Sequence, residues 1–146
     1  MIKQYNIRVY GILLNHKKEV LVSDEYRMGM YMTKFPGGGL EKGEGLLDAL
    51  KREWKEELNA EIEVVSHFYT TDFYVKPAFN NSQLLSVYYL VNLISSPEIP
   101  ISQKQFNFEE SEGAQSFRWI AVQKLEENNF TFPIDKRVAL LLKNLN

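Results

Sequence analysis

The chain reads as an α/β protein, an α-β-α sandwich with a mixed β-sheet between helices. Three observations carry this. Several segments rich in Val, Ile, Tyr and Phe carry strand patterning, such as residues 5–14 and 83–94. A central stretch from Gly45 to about Leu58 holds no proline and no β-branched residue, and its Leu, Ala, Glu, Lys and Arg all favour helix. A second helical pattern closes the chain. Strands around a central helix, followed by another helix, form layers that bury one face of each element.

The elements follow in order. Residues 5–14 alternate and then run apolar (Ile7, Val9, Tyr10, Ile12, Leu13, Leu14), and Asn15-His16-Lys17-Lys18 reads as a hairpin turn. Glu19 to Val22 returns as a second strand. Tyr31 to Phe35 leads into Pro36-Gly37-Gly38-Gly39, where glycine permits dihedrals that other residues avoid. On the helix that follows, Leu47, Leu50, Trp54 and Leu58 form a stripe facing a core. Residues 61–75 read as a strand bent near Ser66-His67, and Gln83 to Ile94 as another. Ser95 to Gln105, with Pro97 and Pro100, is loop. Gln115 to Ala121 is a short strand and Val122 to Glu127 a short helix. Ile134 to Leu145 is the last helix, with Val138, Leu141, Leu142 and Leu145 inward.

With 146 residues the natural count is one domain, residues 1–146. A net charge of −2 gives no general attraction to nucleic acid or to an anionic membrane, so no partner of either kind is expected. The absence of cysteine excludes disulfides and thiol chemistry. No stretch approaches the length of a transmembrane helix, and the N-terminus lacks a signal-like core; a cytoplasmic protein is the expectation.

The segment GGLEKGEGLLDALKREWKEEL carries the chemistry. With Glu53 at zero on a helical wheel, Glu57 falls about 40° to one side and Glu56 about 60° to the other. Such acids repel one another by a few tenths of a kcal/mol per pair. A cation between them reverses that sign, and hard oxygen ligands suit Mg²⁺ or Mn²⁺. An acidic surface helix would explain the glutamates alone. It leaves unexplained the glycines before them and the arginine set against them.

The spacing resembles the box of the Nudix hydrolases: glycine, five residues, glutamate, seven residues, then Arg-Glu-apolar-any-Glu-Glu-any-Gly-apolar. Gly38, Glu44, Arg52-Glu53, Trp54 and Glu56-Glu57 match it. Asn59 stands in place of the last glycine, and asparagine is the second choice for a left-handed helix cap. The resemblance implies the Nudix α-β-α sandwich and hydrolysis of a nucleoside diphosphate derivative by water attacking phosphorus. It implies Glu53, Glu56, Glu57 and the Gly38 carbonyl as metal ligands, with Arg52 clamping these carboxylates. Glu44 is either structural or part of the charged set. The general base is Glu53 or an acid on a later loop. There Glu112-Gly113-Ala114-Gln115, followed by Trp119, looks like the metal-binding loop of MutT-type triphosphatases; Glu109, Glu110 and Glu98 are further acids in that region.

Substrate contacts are the least determined. Asp135, after Phe132-Pro133-Ile134, sits where MutT-like enzymes carry an amide that reads a purine; it either accepts a base N–H or caps the last helix. Phe35, Tyr69, Phe73, Tyr74 and Phe79 either stack on a base or fill the core. Lys34 and Arg27 are candidates to touch phosphate, while His16 and His67 read as surface or satisfied histidines. Pro77 lies near the place of a proline in ADP-ribose enzymes, and Ala78 stands where dinucleotide-polyphosphate enzymes carry a tyrosine. A nucleoside triphosphate or nucleotide sugar is the favoured substrate. ADP-ribose, a diphosphate outside nucleotides, and a non-catalytic ligand-binding module are the alternatives; the family also includes dimers, which allows a homodimer.

Overall fold

The protein is seen in a computed structural model that describes residues 1–76, 80–95 and 97–145. The cues at Pro77, Ala78 and Phe79 lie outside the described residues. In chain order the elements are β1 (Gln4–Leu13), β2 (Glu19–Arg27), β3 (Met30–Lys34), β4 (Gly37–Gly39), α1 (Leu46–Leu58), β5 (Ile62–Thr70), β6 (Ser82–Leu93), β7 (Gln115–Ala121) and α2 (Pro133–Lys143). Two 3₁₀ turns, Val122–Lys124 and Glu127–Asn129, replace the short helix expected between β7 and α2. The α/β class holds, and the strands are shared between two sheets, ordered β4-β1-β6-β5 and β3-β2-β7. The chain divides into two compact units, Met1–Ile12 with Gly37–Pro97 and Leu13–Pro36 with Glu98–Asn146.

In the first unit, α1 buries Ala49, Leu50, Trp54 and Leu58. Leu47 is exposed and drops out of the expected stripe, and Ala49 joins its other three members. Removing side chains of this size from water contributes about 1.5–3 kcal/mol each. Trp54 is completely buried, and its bulk is accommodated by a glycine on β1: a Cβ at Gly11 would lie 2.8 Å from the indole Nε1. The helix stops at Asn59, whose backbone is left-handed at φ 52° and ψ 38°. The Asn59 N–H donates to Lys55 O and the Ala60 N–H to Trp54 O, satisfying two terminal carbonyls. β5 pairs with β6, and register shifts at Val64/Ser66 and His67/Tyr69 supply the bend expected near Ser66-His67.

In the second unit the turn at Asn15–Lys18 forms as expected, with Asn15 Oδ1 accepting the Lys17 and Glu19 N–H groups at 3.0 Å each. β2 runs five residues past the predicted Val22, because Ser23, Asp24 and Glu25 are buried and hydrogen-bonded. α2 starts at Pro133 with Phe132 as its N-cap. Asp135 therefore lies inside the first turn, where a negative charge favours the dipole, and the N-cap reading of it is corrected. Ile134, Val138 and Leu142, flanked by Asp135 and Ala139, form the buried stripe. Leu141 points about 100° away from the centre of that stripe and is exposed, and Leu145 falls beyond the helix end.

Trp54→Ala should destabilise the protein by about 3–5 kcal/mol, since the void beside Gly11 has no small side chain to refill it. Urea unfolding checks this: the midpoint should fall with little change in slope.

Candidate active site

In the first unit one arginine gathers the box. Arg52 donates through Nη2 to Glu44 Oε1 at 2.6 Å and through Nε to Glu44 Oε2 at 3.1 Å, a fork-on-fork pair. Nη2 also donates to the Gly39 carbonyl at 3.0 Å. Nη1 reaches Glu53 Oε1 at 3.0 Å and Glu56 Oε2, one helical turn on, at 3.3 Å. Of the three acids expected to be clamped, Arg52 bonds Glu53 and Glu56, and Glu44 is the strongest partner of its guanidinium. Glu44 also accepts the Glu41 N–H at 2.9 Å, which closes the loop ahead of α1.

These contacts set the local charge. The hydrogen bond from Arg52, then that from Glu41 N–H, hold the Glu44 carboxyl below the usual glutamate range. The Glu44 hydrogen bond, followed by those to Glu53, pushes the Arg52 guanidinium still higher than an ordinary arginine, against desolvation. Both groups stay charged through neutral pH.

Gly38 is explained by space. On β4 its partner is Val9 on β1, and a Cβ built at Gly38 would lie 2.4 Å from the carboxyl carbon of Glu53. Any side chain there would expel that carboxylate. Close approach is what position 38 requires, in contrast to the unusual dihedrals expected for the whole glycine run. Glu53 and Glu57 are partly buried and Glu56 exposed.

Among the described residues no three acids or histidines are closed into a ready metal cluster. The donor set nevertheless fits a hard divalent cation in its chemistry. Three carboxylates share one helix, Glu53 is seated against a glycine backbone, and a guanidinium already offsets the charge of two of the acids.

A NUDIX domain model matches residues 4–141. This chain belongs to the Nudix family. An RNA pyrophosphohydrolase of Campylobacter jejuni is 31% identical over 114 residues, covering 72% of this chain and 69% of the relative. Further Campylobacter jejuni proteins of that name match over 61% of their length. Among solved structures, a MutT NUDIX hydrolase from Burkholderia pseudomallei superposes with a TM-score of 0.71 at 18% identity, covering 96% of this chain and 98% of that one. A NUDIX hydrolase from Nitrosomonas europaea gives 0.70 at 17%, covering 92% and 86%. The structural matches establish the fold. Family and relatives together support pyrophosphohydrolase activity on phosphoanhydride bonds.

The remaining candidates of this Nudix chain lie in the second unit. Glu112 accepts the Met28 N–H through both oxygens, at 2.6 and 3.0 Å, and so pins the tip of the β2–β3 hairpin. Glu110 accepts the Tyr31 hydroxyl at 2.7 Å, which raises that phenol above its ordinary value. Lys34 and Arg27 both pair with Glu25, at 3.4 and 2.8 Å. Phe35 is fully buried and stacks on Phe130, with ring centres 4.6 Å apart. Asp135 is buried on α2. In the first unit Tyr69 is buried and Tyr74 exposed, while His67 bonds the Thr70 hydroxyl at 2.7 Å.

Sequence reasoning missed the buried acids of β2. Glu25 accepts from Ser23 Oγ at 2.8 Å as well as from Arg27. Asp24 takes Arg118 Nε at 2.6 Å and Thr33 Oγ1 at 2.6 Å. The triplet Ser23-Asp24-Glu25 resembles the end of a strand by composition. Its one signal was a pair of acids between two otherwise strand-like runs.

Because the Glu44 carboxyl is depressed in the folded state, its contribution to stability is complete above the ordinary glutamate value of about 4.3. That contribution is lost as pH falls through the lower, folded value. Glu44→Gln should therefore flatten the acid side of the pH–stability profile below about pH 4.3, read by thermal melts from neutral to acid pH. An unchanged acid limb would refute the anchoring role of Glu44.

Proposed function

We propose that this protein is a Mg²⁺-dependent Nudix hydrolase that cleaves the pyrophosphate linkage of a nucleoside diphosphate derivative, with a nucleoside triphosphate or nucleotide sugar favoured. The observation that carries this is the gathering of Glu44, Glu53 and Glu56 by Arg52, with Glu53 seated against Gly38. Glu53, Glu56, Glu57 and the Gly38 carbonyl would hold the divalent ion, Mg²⁺ or Mn²⁺. When bound, such an ion neutralises phosphoanhydride oxygens and lowers the pKa of water beside it.

The chain's own groups do the rest. Arg52, anchored on Glu44 and the Gly39 carbonyl, keeps the Glu53 and Glu56 rotamers in place, so little ordering entropy remains to be lost on binding. Glu53 takes the proton from the attacking water as the new P–O bond forms, and the bridging P–O bond breaks with its electrons on the leaving phosphate. Glu112 is the loop acid that could share this role. It would have to release the Met28 N–H first, which places it second to Glu53. Asp135, Phe35 and Lys34 are the proposed substrate contacts, with Lys34 having to share its ammonium with Glu25, its partner at 3.4 Å.

A second reading rests on the Campylobacter jejuni relatives, whose name specifies RNA. It places the triphosphorylated 5′ end of an RNA in the same site. A terminal phosphoanhydride needs no extended basic surface, so it is compatible with a net charge of −2.

Phosphate or pyrophosphate release over nucleoside triphosphates, nucleotide sugars, ADP-ribose and a 5′-triphosphorylated oligoribonucleotide, at graded Mg²⁺, separates these readings. Glu53→Gln should lower kcat at least about a hundredfold with an unchanged melting temperature. Full turnover by that variant would remove the ligand assignment, and no release from any compound would favour a non-catalytic module. In the same assay Asp135→Asn should shift the preferred base; a fall in stability alone would make Asp135 a core residue.

A further inference from the structure

A cavity of about 260 Å³ opens in the second unit, lined by Lys17, Glu19, Ile101, Ser102, Gln103, Arg118 and Trp119. None of these residues belongs to the glutamate box. We propose that this cavity is a separate binding site for a small phosphate-bearing anion.

The first argument is preorganisation. Arg118 sits on the fully buried Asp24, donating through Nε at 2.6 Å and Nη2 at 3.1 Å, and its side chain is 15% exposed. Asp24 is itself fixed by the Thr33 hydroxyl at 2.6 Å. The guanidinium is thereby locked along one edge, and Nη1 has no hydrogen-bond partner among the described residues. A fork held in this way suits phosphate geometry and needs no rotamer ordering when a ligand arrives.

The second argument is the wall. Ile101 forms a parallel bridge with Phe117, and the Ser102 N–H donates to Phe117 O at 2.7 Å. The loop that carries Ser102 and Gln103 is therefore tied to the edge of β7, and the cavity keeps its shape without a ligand. Ser102 Oγ donates to Lys104 O at 3.0 Å and accepts the Lys104 N–H at 3.2 Å, which fixes the loop further.

The third is charge and size. Lys17, on the exposed turn between β1 and β2, lines the cavity with Arg118. Asp24 behind Arg118 and Glu19 in the lining balance these two cations, so an anion would meet the Lys17 ammonium and the Arg118 Nη1 donor in a site without excess negative charge. Glu19 already accepts the Asn15 side-chain amide at 2.9 Å, which leaves it suited to a ligand hydroxyl or amine beside the anion. The volume lies just under the usual range of about 300–1,000 Å³ for organic ligands, so a pyrophosphate, a sugar phosphate or a mononucleotide held by its phosphate end is the fitting size. Trp119, half-buried, is also in the lining.

Trp119 also supplies the readout. The chain has two tryptophans, and Trp54 is completely buried, so quenching by an added anion reports the cavity. Inorganic pyrophosphate, ribose 5-phosphate and adenosine monophosphate are titrated separately, in chelator and without divalent cation, by fluorescence and by calorimetry. Lys17→Glu is the decisive variant, because Lys17 is an exposed turn residue, whereas a change at Arg118 would strand the buried Asp24. At least one of the three should saturate, with half-saturation raised about tenfold or more in Lys17→Glu. Which of them saturates tells a bare phosphate site from one that also reads sugar or base. Glu53→Gln should bind as the wild type does, which keeps this site distinct from the box whatever becomes of the catalytic assignment. No saturation by any compound, an unchanged half-saturation in Lys17→Glu, or binding lost in Glu53→Gln would each overturn the proposal.

Discussion

The guanidinium of Arg52 is the constraint on which the acidic helix depends. Acids at positions 53, 56 and 57 on one short helix repel, and the helix gains nothing locally from placing them there. Arg52 offsets that repulsion within its own turn, reaching Glu53 and Glu56 through one nitrogen. It is anchored outside the helix on Glu44 and on the Gly39 carbonyl. The helix, the loop before it and the glycine strand β4 are therefore tied through a single planar group. A lysine could not do this, since a point charge has no second edge to share between Glu44 and the helix acids.

Backbone packing completes what Arg52 begins. Gly38 lets the Glu53 carboxylate approach β4, and Gly11 lets Trp54 approach β1. Two glycines in neighbouring strands thus set how closely α1 lies against its sheet. Asn59 ends the helix two residues after the last acid, with its own N–H satisfying a terminal carbonyl. Carboxylate position and helix packing are consequences of the same close approach.

The second unit is organised by buried polar groups on β2. Asp24 and Glu25 are fully buried, and alternation along the strand sends them to opposite faces. Each is paired with cations and hydroxyls, as burial of charge demands. Asp24 also accepts the Phe106 N–H at 3.4 Å, while Glu110 and Glu112 bond the hairpin tip. The loop before β7 is thus held by polar contacts together with the packing of Phe106 and Phe108 against Tyr31. Arg27 and Lys34, candidates for phosphate contact on sequence alone, are in this structure part of the Glu25 network.

The order of elements, the span of α1, the turn at Asn15–Lys18, the bend in β5 and the extent of β7 were all legible in the chain. Each rests on short-range physics: periodicity, propensity and the left-handed tolerance of asparagine. The box spacing likewise places Glu53, Glu56 and Glu57 on one face, because helical geometry alone does so. Long-range partners were beyond such reading. That Arg52 answers first to Glu44, that Gly11 makes room for Trp54, and that β2 continues through Ser23-Asp24-Glu25 depend on which groups meet in space. Polar residues look like strand ends until Arg118, Thr33 and Gln115 are seen to satisfy them, since burial of a charge is decided by its partners and leaves no local mark on the sequence.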